Sequence, residues 1–301
     1  MRETRSAASP LAQAALLMIG AIVAFSTMTV AGREAGAELD TFEIMTYRSV
    51  VGFVVVMTLG WWTGTLSSIR TERLGLHALR NLSHFAGQNL WFLAITLIPL
   101  AQVVALEFTS PIWVLLLSPL ILGEKMTRIR VVCVVLGFLG VLIVVRPTLE
   151  TLSPGVLAAA LAAVGFAGSL MLTKRLTRTE SITCILFYLT VMQAIFGLVC
   201  AAYDGSMTWP SLRIGLWVIL IGFAGLAAHF CLTQALRLAP AMVIVPIDFA
   251  RIPLIATIGA VVYAEALDVF VLLGAVVIFL ANYLNLWTER RLMATASIRN
   301  D

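Results

Sequence analysis

The sequence predicts an all-α integral membrane protein in which ten transmembrane helices form two inverted five-helix repeats. Three observations carry that expectation. Of the 301 residues, 60% are hydrophobic and 12% are charged, against roughly 25% charged in an ordinary soluble protein. The apolar residues gather into ten runs near the ~20 residues needed to cross a bilayer as a helix. None shows the period-two alternation of a membrane barrel. Finally, residues 97–125 lie over residues 238–266 without a gap.

The first run, residues 11–31, is too long for a signal-peptide core, lacks a convincing cleavage site after it, and reads as a retained helix. The second, 43–62, carries Tyr47 and Arg48. The third, 74–97, holds a polar stripe of His77, Arg80, Asn81, His84 and Gln88 within an arc of ~100°, a face unable to point into lipid. Arg80 sits early enough in this run to snorkel to the surface. The fourth, 101–121, contains Glu107, Trp113 and the helix-breaking Pro111 and Pro119. The fifth, 128–146, contains Gly137 and Gly140. Runs six to eight cover 154–173, 182–202 and 213–236, with His229 in the last. The ninth, 240–262, holds Asp248, Arg251 and the helix-breaking Pro246 and Pro253, and 269–288 is the tenth.

Assigning connections alternately to two sides places fourteen Lys and Arg with the termini and three, Arg33, Arg146 and Arg213, opposite. Positive residues stay cytoplasmic, so the chain is expected to be multi-pass in the cell (inner) membrane with both termini in the cytoplasm. The formal charge of +4 thus reports orientation, and no nucleic-acid partner is expected. Cys133, Cys184, Cys200 and Cys231 lack C-x-x-C spacing, so neither a metal nor a redox role is expected.

The 141-residue offset places Phe25 on Phe166, Tyr47 on Tyr188, Phe108 on Phe249, Phe138 on Phe279 and Glu107 on Asp248. An odd number of helices per copy inverts the second copy, an architecture of transporters with a site near the midplane. The expected domains are residues 1–148, residues 149–290 and a cytoplasmic tail, 291–301. PLAQVVALEFTSPIW, APAMVIVPIDF, and the closing LILGEKMTRIRVVCVVLGFLGVLIVV and VVYAEALDVFVLLGAVVIFL resemble the EamA branch of the drug/metabolite transporter superfamily. The resemblance implies solute transport without ATP. One departure is that Gly137 and Gly140 fall on Ile278 and Ala281, partly offset by Gly274 on Cys133.

The candidate substrate-binding or coupling residues are Glu107, Asp248, Arg251, Arg48, Tyr47, His84, Gln88, His229, Trp91 and Trp113. Asp248 and Arg251 share a helix face at i,i+3 and read equally as a structural ion pair. Trp91 and Trp113 are candidates to stack on a planar substrate, whereas Trp61, Trp62, Trp209 and Trp287 fit the interfacial belt. Glu124 and Glu265 are expected to cap the helices that follow them. Three intramembrane arginines against two carboxylates suit an anionic, zwitterionic or amphipathic small metabolite, carried by secondary transport without a cofactor. Coupling through protons and a facilitated exchanger or uniporter remain open, as do monomer and homodimer. No H-E-x-x-H, G-x-S-x-G or P-loop pattern supports an enzyme or an ATP-driven pump.

Overall fold

The computed structural model describes residues 10–70, 72–121, 126–146, 152–203, 205–238 and 247–298. All regular structure among them is helical. α1 spans Pro10–Ala35 and α2 Thr41–Trp62. Asp40 starts α2 through a capping box: its side chain accepts from Phe42 and Glu43 N–H, and Glu43 accepts from Asp40 N–H. α3, Leu74–Leu97, stops at Ile98, whose extended backbone (ψ 164°) is the geometry demanded ahead of Pro99. After it come α4 (Leu100–Glu107), α5 (Ser110–Ile121) and α6 (Arg128–Val145). α7 (Pro154–Leu176) starts with Ser153 as cap and Pro154 in its first turn. Ser181 likewise caps α8 (Ile182–Ala201). α9 (Leu212–Leu238), α10 (Arg251–Tyr263) and α11 (Val269–Ile298) complete the described chain.

Among the described residues, eight segments are long and apolar enough to cross a membrane, the α4–α5 pair counting as one across Leu100–Leu120. α3 has the length but carries the polar stripe, and α10 is a shorter apolar helix. The chain is a multi-pass membrane protein. Its large exposed side chains are apolar along the spans, among them Leu16, Ile19, Val135, Leu161 and Val276, as lipid contact requires. Trp61, Trp62 and Trp209 are exposed near span ends.

The tightest helix partnerships are α1 with α9, α3 with α7, α6 with α11 and α2 with α8. Between lipid-soluble helices the attraction is van der Waals contact, so small residues sit at the crossings. At the α3–α7 crossing a Cβ on Gly165 would lie 2.7 Å from Gly87 Cα. At the α6–α11 crossing a Cβ on Gly274 would lie 2.7 Å from Gly140 O. The close approach that Ile278 and Ala281 put in doubt is therefore made, with Ile278 seated over Gly140.

The fourth run is broken. Pro111 has no N–H for the carbonyl of Glu107, and the helix interrupts at Phe108–Thr109. Side chains close the gap: Ser110 Oγ donates to Glu107 O (2.7 Å), Thr109 Oγ1 to Leu106 O (2.6 Å) and Asn282 Nδ2 to Phe108 O (3.0 Å). Away from water, such donors are what permits a broken helix. A second interruption lies at Phe249–Ala250, just ahead of α10. Pro253, in the first turn of α10, has no N–H for the carbonyl of Phe249, which stands in that interruption and accepts from Ile252 N–H at 3.1 Å instead. Pro240, Pro246 and Glu124 lie outside the described residues.

Candidate functional site

The two interruptions meet. Phe108 and Phe249 stack with centroids 4.2 Å apart, and the charged residues beside them converge. Arg251 opens α10 and Glu107 closes α4. Each charge stands at the end of its helix that the backbone dipole disfavours, a cation at an N-terminus and an anion at a C-terminus. They are held by each other: Arg251 Nη2 lies 2.9 Å from Glu107 Oε1 and 3.6 Å from Asp248 Oδ2. The expected i,i+3 pair is present, but its nearer partner is the carboxylate 144 positions away. Arg251 is 2% exposed. Phe25 and Phe108 flank its guanidinium at 4.8 and 4.9 Å, and its Nε and Nη1 have no hydrogen-bond partner. Asp248 Oδ1 is also buried and unpartnered. Trp91, buried on α3, donates from Nε1 to Glu107 Oε2 at 2.9 Å.

The polar stripe of α3 faces inward, with His77, Arg80, Asn81, His84 and Gln88 all buried. Arg80 does not snorkel: Nε donates to Thr173 Oγ1 (3.0 Å) and Nη1 to Asn81 Oδ1 (2.8 Å). A small cavity of about 40 Å³ lies among Arg48, His84, Thr190, Gln193, Gly222 and His229, room for about one water. His84 and His229 face each other there with ring centroids 6.3 Å apart. Arg48 has no carboxylate partner among the described residues. Its guanidinium stands 5.7 Å from the Phe92 ring centroid, and its Nε is buried without a partner. Gln88 Nε2 is likewise unpartnered.

Two sequence candidates stand elsewhere. Tyr47 donates its hydroxyl to Thr208 O at 2.6 Å in the α8–α9 connection, beside Trp209. Trp113 packs edge-on against Phe138 at 5.2 Å.

Sequence reasoning missed a network at one end of the bundle. Arg33 pairs with Glu265 and donates to Ile95 O (2.5 Å) and Ile98 O (2.6 Å). The other Glu265 oxygen accepts from Leu100 N–H at 3.0 Å. Glu265 thus caps α4 and not the helix after it, whose start is bound by Asp268 through Phe270 N–H (2.9 Å). Tyr263 and Arg213 both reach Glu34, each at 3.0 Å. At the same end Ser211 N–H donates to Glu38 at 2.9 Å. That bond, with the Ser211 hydroxyl and Arg213, holds the Glu38 carboxyl below the usual carboxylate range. The only sequence signal was that Arg33, Arg213 and Glu265 flank spans. A cleft of about 460 Å³ opens here beside Arg33, Ala37, Thr96, Pro99 and Glu265.

The chain has relatives among known proteins. A riboflavin transporter of Brucella anthropi is 34% identical over 256 residues, covering 83% of this chain and 89% of that protein. An S-adenosylmethionine uptake transporter of Rickettsia felis is 26% identical over 273 residues, covering 91% and 92%. A pseudopaline exporter of Pseudomonas aeruginosa is 26% identical over 267 residues, covering 88% and 93%. A crystal structure at 22% identity superimposes with a TM-score of 0.63 over 93% of this chain and 98% of that one, which shows the fold alone. The pattern of the EamA-like transporter family matches twice, over residues 12–146 and 153–287. The chain belongs to the EamA-like transporter family.

Proposed function

We propose that the protein is a secondary transporter that carries a small anionic or zwitterionic, amino-acid-like metabolite across the inner membrane by alternating access. The observation that carries this reading is the Glu107–Arg251–Asp248 cluster at the meeting of two broken helices. Charge is kept away from water only where it has partners, and in membranes such sites mark substrate or ion pathways. The domains are the two repeats, 1–148 and 149–290, followed by the tail. The offset between the two family matches, from 12 to 153 and from 146 to 287, is 141 in both cases and supports this division. So does the packing: exchanging the halves by that offset turns the α1–α9 pair into α7–α3 and leaves α2–α8 and α6–α11 unchanged. An odd number of spans in each half sets the second copy upside down. The distribution of Lys and Arg supports a cytoplasmic location for both termini.

Arg48 and Arg80 supply the anion preference, since neither has a carboxylate partner among the described residues and a substrate carboxylate would complete them. S-Adenosylmethionine carries an amino-acid head and riboflavin does not, so the two form a discriminating pair. In proteoliposomes, uptake saturates for the substrate class. Arg48→Leu and Arg251→Leu insert normally yet do not transport. Full activity in both variants removes the charge argument. Proton coupling through Glu107, Asp248 or the facing His84–His229 pair is a second reading. Uptake that follows an imposed pH gradient supports it, and indifference leaves exchange or uniport.

A further inference from the structure

Far from the central cluster in sequence, three side chains with metal-binding chemistry converge. His77 is in the first turn of α3, Cys184 in the first turn of α8, and Glu180 in the connection between α7 and α8. One donor atom from each lies within 4.8 Å of the other two, and Cys184 Sγ stands 4.0 Å from His77 Nε2. His77 and Cys184 are 1% and 0% exposed. Two polar atoms of this cluster, His77 Nδ1 and Glu180 Oε2, are buried without any hydrogen-bond partner. An orphaned carboxylate oxygen away from water is costly, and a cation among these donors removes that cost for Glu180.

The donor set points to the kind of cation. Imidazole nitrogen, thiolate sulfur and carboxylate oxygen together suit Zn²⁺, whereas Mg²⁺ and Ca²⁺ take oxygen alone. With Zn–S near 2.3 Å and Zn–N near 2.0 Å, tetrahedral bonding sets sulfur and nitrogen about 3.5 Å apart. The observed 4.0 Å therefore needs a closure of about half an ångström. The sulfur accepts from Arg70 N–H at 3.5 Å, a bond a thiolate keeps, and as a thiol it donates to Arg70 O at 3.5 Å, a bond it gives up on binding the ion. Its helix start is fixed by Ser181 Oγ, which accepts from Cys184 N–H at 3.1 Å, and a cation bound there would displace the thiol proton to water. The guanidinium of Arg80 is turned to Thr173 and Asn81.

We propose that His77, Glu180 and Cys184 form a binding site for one Zn²⁺, with water as the fourth ligand, and that the ion fastens α3 to α8. It would join an element of the first half to one of the second. The inference is independent of the substrate proposed above.

The test uses full-length protein in detergent, stripped with a chelator and titrated with Zn²⁺ against a chromophoric chelator, then with Co²⁺ for its thiolate charge-transfer absorption. The wild type binds one equivalent, shows that absorption, and melts at a higher temperature with Zn²⁺. Cys184→Ser loses the thiolate absorption and binds at least about tenfold more weakly, and His77→Gln also binds more weakly. The same protein without Cys133, Cys200 and Cys231 binds as the wild type does. Absence of stoichiometric binding in the wild type overturns the proposal. So does thiolate absorption that persists in Cys184→Ser, because the ion would then sit on another cysteine. Circular dichroism of each variant separates lost ligation from lost folding, and a fold retained without binding supports the site.

Discussion

Arg251 concentrates the energetic tension of the molecule in one side chain, since it is the shared cation of two carboxylates and is 2% exposed. Glu107→Gln keeps an acceptor for Trp91 but leaves Arg251 only Asp248 at 3.6 Å. The expected loss is about 3 kcal/mol, the lower end for breaking a buried pair, because one carboxylate remains. Arg251→Leu strands both carboxylates and is expected to cost more, about 3–5 kcal/mol. Combining Glu107→Gln with Arg251→Leu should fall short of the sum by about 0.5–3 kcal/mol. Chemical denaturation of purified protein in detergent measures all three, and strict additivity would mean the two residues do not feel each other. Part of this was legible in the sequence, because Asp248 and Arg251 are three positions apart, within reach of each other across the break at Phe249–Ala250. The partnership with Glu107 was not, because residues 144 positions apart are joined only by how the helices pack.

At the scale of elements, the broken α4–α5 pair is the place where the backbone is least committed. Two carbonyls, those of Glu107 and Phe108, have exchanged backbone partners for the side chains of Ser110 and Asn282. Pro111→Ala returns an N–H to the carbonyl of Glu107 and favours a continuous helix. The expected result is equal or greater thermal stability with transport slowed about 10- to 100-fold, the scale on which small misplacement of binding groups costs activity. Unchanged transport would mean that the break is only a fixed bend. A different outcome is expected at the α6–α11 crossing, where Gly140 leaves no room for a side chain against Ile278 and the Gly274 carbonyl. Gly140→Val should separate these helices and cost about 1–3 kcal/mol or more, read as a loss of monodisperse protein. Pro111 announced the first break in the sequence. Pro253, four residues beyond Phe249, announced the second in the same way, whereas Pro119 lies inside α5 without interrupting it.

For the whole molecule, run length made most of the membrane helices legible, and the 141-residue offset recurs between the two family matches. The partnerships of α1 with α9 and α3 with α7 were hidden, since a helix that is apolar all round does not announce which face meets protein and which meets lipid. The network that ties α1, α3, α4 and α10 at one end was hidden for the same reason. It has a consequence for access. Arg33 holds Glu265 and the carbonyls of Ile95 and Ile98, while Glu265 holds the start of α4, so this end cannot part without releasing those bonds together. Thr29 lies one turn below Arg33 on the same face of α1 and is fully buried. With the four native cysteines replaced, Thr29→Cys should react slowly with a membrane-impermeant thiol reagent. Adding Glu265→Gln removes the charge pair and shifts the population toward the state open at this end. A shift of about 1.4 kcal/mol raises the ratio of open to closed molecules tenfold, and the labelling rate rises with it while the open state is the minor one. Reversing both charges, Arg33→Glu with Glu265→Arg, restores slow labelling only in part, because a glutamate at position 33 cannot donate to the two carbonyls. Labelling that ignores Glu265→Gln would show that the network braces the end without governing its opening.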